Sequence, residues 1–392
     1  DVVYNHFGPD GNYLRAFSKD YFTERYQTPW GEAINYDGPN CQWVRKLVLD
    51  NARYWFEEYH ADGLRLDATH AIYDRSPRHI LAELAGASEG MLIAETHENA
   101  VRYLRPTSAG GFGLDAVWAD DFHHTLRRYL VGDHEGYYAD YVGTLDEVAR
   151  CINQGWLYEG QPSPRSGKPR GTSARNEPAA QFVYVIQNHD QVGNRPFGER
   201  LNHQLDLERF KAASMLLLFL PYTPMLFMGQ EFAASSPFQY FTDHNPELGR
   251  LVTEGRRTEF AAFSAFADPD LRERIPDPQD LATFERSRLD LAEAERAPGQ
   301  GVQELYRRML RLRREDSVLA MQDRQCTEAR ALTKDVLLVR RWRGDEERLL
   351  VANFGQAAMA LDYPGADVVL TSGADASVSS VSPRTAAILR RG

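Results

Sequence analysis

Short apolar runs alternate with longer stretches whose apolar side chains recur every three or four positions over the first 230 residues or so. The runs at 1–4, 63–67, 91–95, 115–118, 182–187 and 223–227 read as strands. Residues 42–59 read as an amphipathic helix with Val44, Leu47, Val48, Ala52, Trp55, Phe56 and Tyr59 on one stripe. Ser76 as N-cap with Pro77 behind it predicts a second helix that turns Ile80, Leu81 and Leu84 inward and stops near Gly86. Thr144 and Glu147 have the spacing of a capping box, and a strongly apolar helix is expected over 207–220.

Strands alternating with helices predict βα units and a parallel sheet. The fold class is therefore α/β, and a (β/α)8 TIM barrel fits it best. Six candidate strands fall short of eight. The expectation is a barrel incomplete at its N-terminal side, with its first two strands outside this chain and an open edge that would hinder folding alone. Residues 161–179 read as a structureless loop, and 232–300 as irregular, with turns at Asp268-Pro269 and Asp277-Pro278. A helix over 302–314 buries Val302, Leu305, Tyr306, Met309 and Leu310. From 317 the period changes to two, as in 336–343 and 348–354. The expected organisation is a catalytic barrel over 1–316 with a loop insertion at 7–40, then a β-sandwich-like domain over 317–392.

The candidate chemistry sits where strands end. In Gly63 to His70, Leu64 and Leu66 face one way and Arg65 and Asp67 the other. Arg65 would then lie one layer below Asp67 and keep it ionised. The runs ending at Glu95 and Asp190 finish in acids too, which predicts a carboxylate cluster at one rim of a barrel. A structural Arg–Asp pair explains the first run alone, but not three successive acids. The turn Ala119 to His124 holds two acids and two imidazoles. Adjacent histidines point to different sides of a helix, so a shared metal ion is disfavoured. The first Asp is expected to cap the next helix, with one or two of these groups facing a bound ligand. The aromatic loop 7–40 offers Trp30 and Tyr26 as stacking surfaces.

Composition changes the picture little. The 392 residues carry a formal net charge of -11, which argues against nucleic acid or an anionic membrane and suits a neutral ligand. Cys41, Cys151 and Cys326 lack metal-like spacing and read as free thiols of a cytoplasmic protein. No apolar run is long enough to span a bilayer.

The segments Asp1 to His6, Gly63 to His70, Ile93-Ala94-Glu95 and Asn188-His189-Asp190 resemble the four short blocks of the alpha-amylase superfamily, in its order. The resemblance implies that Asp67 is the nucleophile, Glu95 the general acid/base and Asp190 the transition-state stabiliser of a retaining hydrolase. It places His6 and His189 on the sugar at the cleavage point. Tyr4, Arg65, His70, Asp121, Gln191 and Trp30 complete the expected substrate-binding set. Outside those blocks, Asp1 to Leu14, Asp120 to His124, Gln187 to Arg195 and Pro237 to His244 resemble the maltooligosyltrehalose trehalohydrolases. That likeness implies cleavage of the α-1,4 bond beside a terminal trehalose unit. It implies no cofactor, no metal and no calcium requirement. Three rivals share parts of the pattern: a plain alpha-amylase, a glucan branching enzyme, and a catalytically dead barrel acting as a partner subunit.

Overall fold

Four short strands lie parallel because each is an apolar run closed by a turn, and each is joined to the next through a crossover long enough to return it in the same direction. The computed structural model describes residues 1–392 apart from 9, 10, 29, 262, 264–267, 374, 375, 378 and 392. Pro9 and Asp10 of the first motif therefore lie outside the described residues. The chain folds as two compact units. One comprises 1–119, 158–162 and 168–183; the other comprises 120–157, 163–167 and 184–392.

In the first unit, Gly63–Leu66 pairs in parallel with Met91–Ala94, which pairs with Ala116–Trp118, which in turn pairs with Phe182 and Val183. The run at 1–4 contributes a single bridge, Val2 to Leu66, through Val2 N to Arg65 O (2.9 Å) and Asp67 N to Val2 O (3.0 Å). Gly63–Leu66, Met91–Ala94 and Phe182–Tyr184 are shorter than their apolar runs, because the residues at the C-terminal ends leave the ladder to form the turns that carry polar side chains. Gly63 is required by a close approach: a Cβ there would stand 2.8 Å from Met91 O.

The helix expected over 42–59 spans Cys41–Glu57, and it buries Val44, Arg45, Val48, Ala52 and Phe56. Leu47, Trp55 and Tyr59, expected inside, are exposed. The row of residues four apart from Val44 to Phe56 is the true core stripe. Its flank is taken by Arg45, which pairs with Asp74 at 2.7 Å and Glu83 at 3.0 Å. Trp55 packs on Tyr59 instead, with ring centroids 4.8 Å apart. The next helix is Ile80–Ala87, capped by His79 rather than Ser76. Asp74 accepts from Ile80 N (2.6 Å) and Ser76 N (2.8 Å), which holds 74–79 as a turn. Ile80, Leu81 and Leu84 are buried as expected.

In the second unit, helix Leu145–Gln154 begins where predicted, with Thr144 accepting from Glu147 N. Glu147 turns its carboxylate to Val142 N and Gly143 N rather than back to Thr144, so only half of the box forms. The apolar helix Leu207–Phe219 and the amphipathic helix Gly299–Glu315 are present, although Leu310 is exposed. Residues 232–300 are not irregular: they hold helix Pro246–Phe260, opened by Asn245 and Pro246. Nor is 161–179 structureless, because Glu159–Pro162 and Pro169–Gly171 pair as an antiparallel hairpin. The period-two segments form a five-stranded antiparallel sheet in which Thr327–Thr333, Val336–Arg343, Glu346–Asn353, Thr385–Arg391 and Asp367–Thr371 are neighbours in that order. Asn153 fixes this sheet to helix Leu145–Gln154 by two reciprocal bonds to Ala329, each 2.8 Å.

Candidate active site

Strand alternation places the Arg65 side chain on the same face as Asp67, and the Glu95 strand lies next door in register. Arg65 is 9 % exposed and sits over the Trp118 ring, 4.3 Å from its centroid. Its Nη1 donates to Asp67 Oδ1 at 2.7 Å. Its Nη2 lies 2.8 Å from Glu95 Oε2, an ion pair outside hydrogen-bond geometry. The expected pairing with Asp67 is thus present, and the same guanidinium also reaches Glu95.

Three backbone features complete the frame. Asp67 is followed by Ala68 in the left-handed region (φ 36, ψ 52), a conformation that costs a non-glycine residue about 1–3 kcal/mol. That turn aims the Ala68 N–H at Glu95 Oε2, 2.7 Å away. Thr69 then gives both its N–H (2.9 Å) and its hydroxyl (2.7 Å) to Glu95 O.

Asn5 was not among the expected site residues, yet its amide donates to both Asp67 O and Asp67 Oδ2, each at 2.8 Å. Its place directly before His6, at the end of the first run, was the available signal. Trp118 was also overlooked, although it too stands at a strand end.

His6 contacts Asn5 through Nδ1 and stacks on Trp30, with centroids 4.6 Å apart and planes 12° apart. Burial lowers the His6 pKa, with Asp67 opposing. His70 lies edge-on to His97 at 4.1 Å. It is pushed down to about 4 by burial first and by His97 second, against Glu98 and Asp67. Both imidazoles are therefore neutral at pH 7 and able to hydrogen-bond hydroxyl groups without adding charge. Tyr26 is stacked on Tyr73 and donates to Asp37, which leaves Trp30 as the more open ring. Tyr4 does not fit the expected binding role: its ring is buried and its hydroxyl is committed to Asn51 at 2.8 Å.

In the second unit, Asn188 caps the short helix His189–Gly193 by accepting from Gln191 N. This leaves His189 and Asp190 with side chains 41 % and 48 % exposed and 3.8 Å apart. Gln191 is buried and donates to Asp120 Oδ1 at 3.4 Å. Asp120 does not cap helix Asp121–Val131, because its own backbone is already helical (φ -67, ψ -19).

Asp121 is corrected as a sugar contact. It is fully buried, with Oδ1 accepting from Tyr141 (2.6 Å) and Oδ2 from Leu157 N (2.8 Å). His123 is likewise buried, bonded to Ile186 O (2.8 Å) and Tyr138 (3.1 Å), and burial drives its pKa well down. The acidic turn is therefore structural at Asp121 and His123. Among the described residues, no group of three or more His, Cys, Asp or Glu side chains is arranged to hold a metal ion.

Comparison with known proteins agrees with this geometry. A solved Salmonella typhimurium structure assigned as an alpha amylase matches with a TM-score of 0.88 and 33% identity, over 100% of this chain and 67% of that one. The chain belongs to the alpha-amylase family. Within that family, the malto-oligosyltrehalose trehalohydrolase of Deinococcus radiodurans is 47% identical over 371 residues, which are 92% of this chain and 59% of the relative. The enzyme of the same name from a Rhizobium species is 39% identical over 407 residues, covering 100% of this chain and 66% of the relative. The chain thus spans roughly three fifths to two thirds of these relatives' length. Residues 327–389 match a family described as a domain of unknown function (DUF3459). They coincide with the antiparallel sheet. The parallel strands and crossovers are those of the TIM-barrel fold of the alpha-amylase family, followed by its β domain.

Proposed function

We propose that this chain carries the catalytic centre of a retaining glycoside hydrolase. Its reaction is cleavage of the α-1,4-glucosidic bond next to the terminal trehalose unit of maltooligosyltrehalose, releasing trehalose and a maltooligosaccharide. The observation that carries the reading is the single guanidinium of Arg65 in contact with both Asp67 and Glu95. A retaining mechanism needs two carboxyl groups about 5–5.5 Å apart and held there. A buried, stacked arginine between neighbouring strand ends supports that spacing.

In the proposed cycle Asp67 attacks the anomeric carbon while Glu95 gives its proton to the departing glycosidic oxygen, and a glycosyl ester forms on Asp67. Glu95, now ionised, takes a proton from water, which attacks the same carbon and frees Asp67. Asn5 holds Asp67 Oδ2 while Arg65 holds Oδ1, so the nucleophile is aimed from both sides. His6 and Trp30 offer a neutral donor and an aromatic face for the sugar, and the role proposed for Asp190 and His189, holding hydroxyls of a distorted ring, rests on their place in the family's motif. The names of the Deinococcus radiodurans and Rhizobium relatives support the trehalose specificity. The free thiols Cys41, Cys151 and Cys326 support a reducing compartment such as the cytoplasm as the place of this reaction. Among the described residues, no helix is long and apolar enough to cross a membrane.

Product analysis of the intact protein on maltotriosyl-trehalose and on maltopentaose tests this reading. Trehalose is expected from the first, with little cleavage of the second. Equal cleavage of both would make the protein a general amylase, and longer branched products would make it a transferase. With neither substrate turned over by folded protein, the enzymatic reading would fail.

A further inference from the structure

We propose that the hairpin formed by Glu159–Pro162 and Pro169–Gly171, with Thr172 behind it, is a positioning element for Glu95. The proposal rests on the reading of Glu95 as the general acid/base. Glu95 is the first residue beyond its strand, and the chain after it leaves the sheet. Its upstream side is held by Leu66, Ala68 and Thr69, through Glu95 N, Oε2 and O respectively.

The hairpin secures the downstream side at three points. Arg170 Nε donates to His97 O (3.1 Å), Thr172 N donates to Asn99 O (2.9 Å), and Val101 N donates to Thr172 Oγ1 (2.9 Å). Arg170 is itself steadied over the Tyr158 ring at 4.9 Å.

The joint is built to close tolerances. Gly171 has φ +81, and a Cβ there would stand 1.8 Å from Tyr158 O and 3.2 Å from the Asn99 Cβ. Asn99 is buried in the left-handed region at φ 55. A glycine with no room for a side chain faces a non-glycine residue in the left-handed region across this three-bond contact, which fixes the path of 95–101 and leaves it little slack. Thr172 is assigned no contact with the reacting atoms. It acts through the backbone that begins at Glu95, so its loss should blunt proton delivery to the leaving sugar and leave nucleophilic attack intact. Proton transfer of this kind is sensitive to small displacements.

The test compares kcat/KM of the intact protein on maltotriosyl-trehalose, whose leaving group needs a proton, and on α-maltotriosyl fluoride, whose fluoride leaves without one. Thr172→Val is expected to lower the first about tenfold and to change the second by less than about twofold, with Thr172→Ser restoring the loss. Arg170→Met should show the same selectivity, and thermal unfolding of each variant reports whether the fold is kept. Equal losses on both substrates in Arg170→Met and Thr172→Val, or no loss in either, would overturn the proposal. Glu95→Ala separates the two levels: it should lose far more on maltotriosyl-trehalose than on the fluoride. An equal loss there would remove Glu95 from the acid role and with it the premise rather than the hairpin contact.

Discussion

Asp67→Ala should lower kcat on maltotriosyl-trehalose by about 10⁴-fold or more, the size of loss seen when a covalent nucleophile is removed. The side chain is held from two directions, by Arg65 at Oδ1 and by Asn5 at Oδ2, and alanine leaves both donors facing an empty position. Glu95 is not placed to take over, because it is tied to Ala68 N and to Arg65 on the adjacent strand. Added azide should restore part of the turnover by entering the space left by the carboxylate, and the glycosyl azide should have the β configuration. Steady-state kinetics with thermal unfolding as a control decide the matter. A folded variant within tenfold of the parent rate would take the nucleophile role away from Asp67.

The second large effect concerns stability. Arg341 is 1% exposed on the strand Val336–Arg343. Its guanidinium donates to Phe219 O at 2.7 Å, to Val318 O at 3.4 Å and to Met321 O. Phe219 ends helix Leu207–Phe219, whose last carbonyls have no partner within the helix. Arg313 serves the same end through Leu218 O and Tyr222 O. Burial pushes the Arg341 pKa down to about 9, with Arg313 adding to the effect, and Asp316 and Asp323 opposing it.

Arg341→Met would remove that desolvated charge but take the guanidinium donor from the Phe219 and Met321 carbonyls, at about 1 kcal/mol or more each, while Val318 O keeps the Met321 N–H (3.3 Å). The expected result is a loss of about 2–4 kcal/mol in urea unfolding, with the slope unchanged. A change below about 0.5 kcal/mol would mean that relief of the buried charge offsets the lost bonds.

Chemistry was more legible in the sequence than packing. The Arg65/Asp67 contact followed from period-two alternation alone, since two residues apart on a strand share a face whatever surrounds them. Strands Gly63–Leu66 and Met91–Ala94 were located for a similar reason: an apolar run ending in charge marks the end of a strand. Helix Cys41–Glu57 was found, but Trp55 and Tyr59 were placed inside. A helical stripe does not reveal that Arg45 takes a core position through ion pairs formed with distant residues, Asp74 and Glu83.

Long-range partners explain the other misreadings. Asp121 looked like a surface acid because Tyr141 and Leu157, which satisfy it, lie 20 and 36 residues away. Tyr4 shared a motif with His6, yet its hydroxyl is taken by Asn51. Helix Pro246–Phe260 was hidden by its polar composition, although Asn245 and Pro246 were a readable start signal.

The most direct measurement of the central claim is the anomeric form of the sugar first released at the new reducing end, followed by proton NMR during early turnover of maltotriosyl-trehalose. Asp67 and Glu95, bridged by Arg65, predict two successive displacements at one carbon. The α anomer should therefore appear first and equilibrate to the β form only later. A β anomer appearing first would mean a single displacement by water, and would contradict the assignment of Asp67 as a covalent nucleophile.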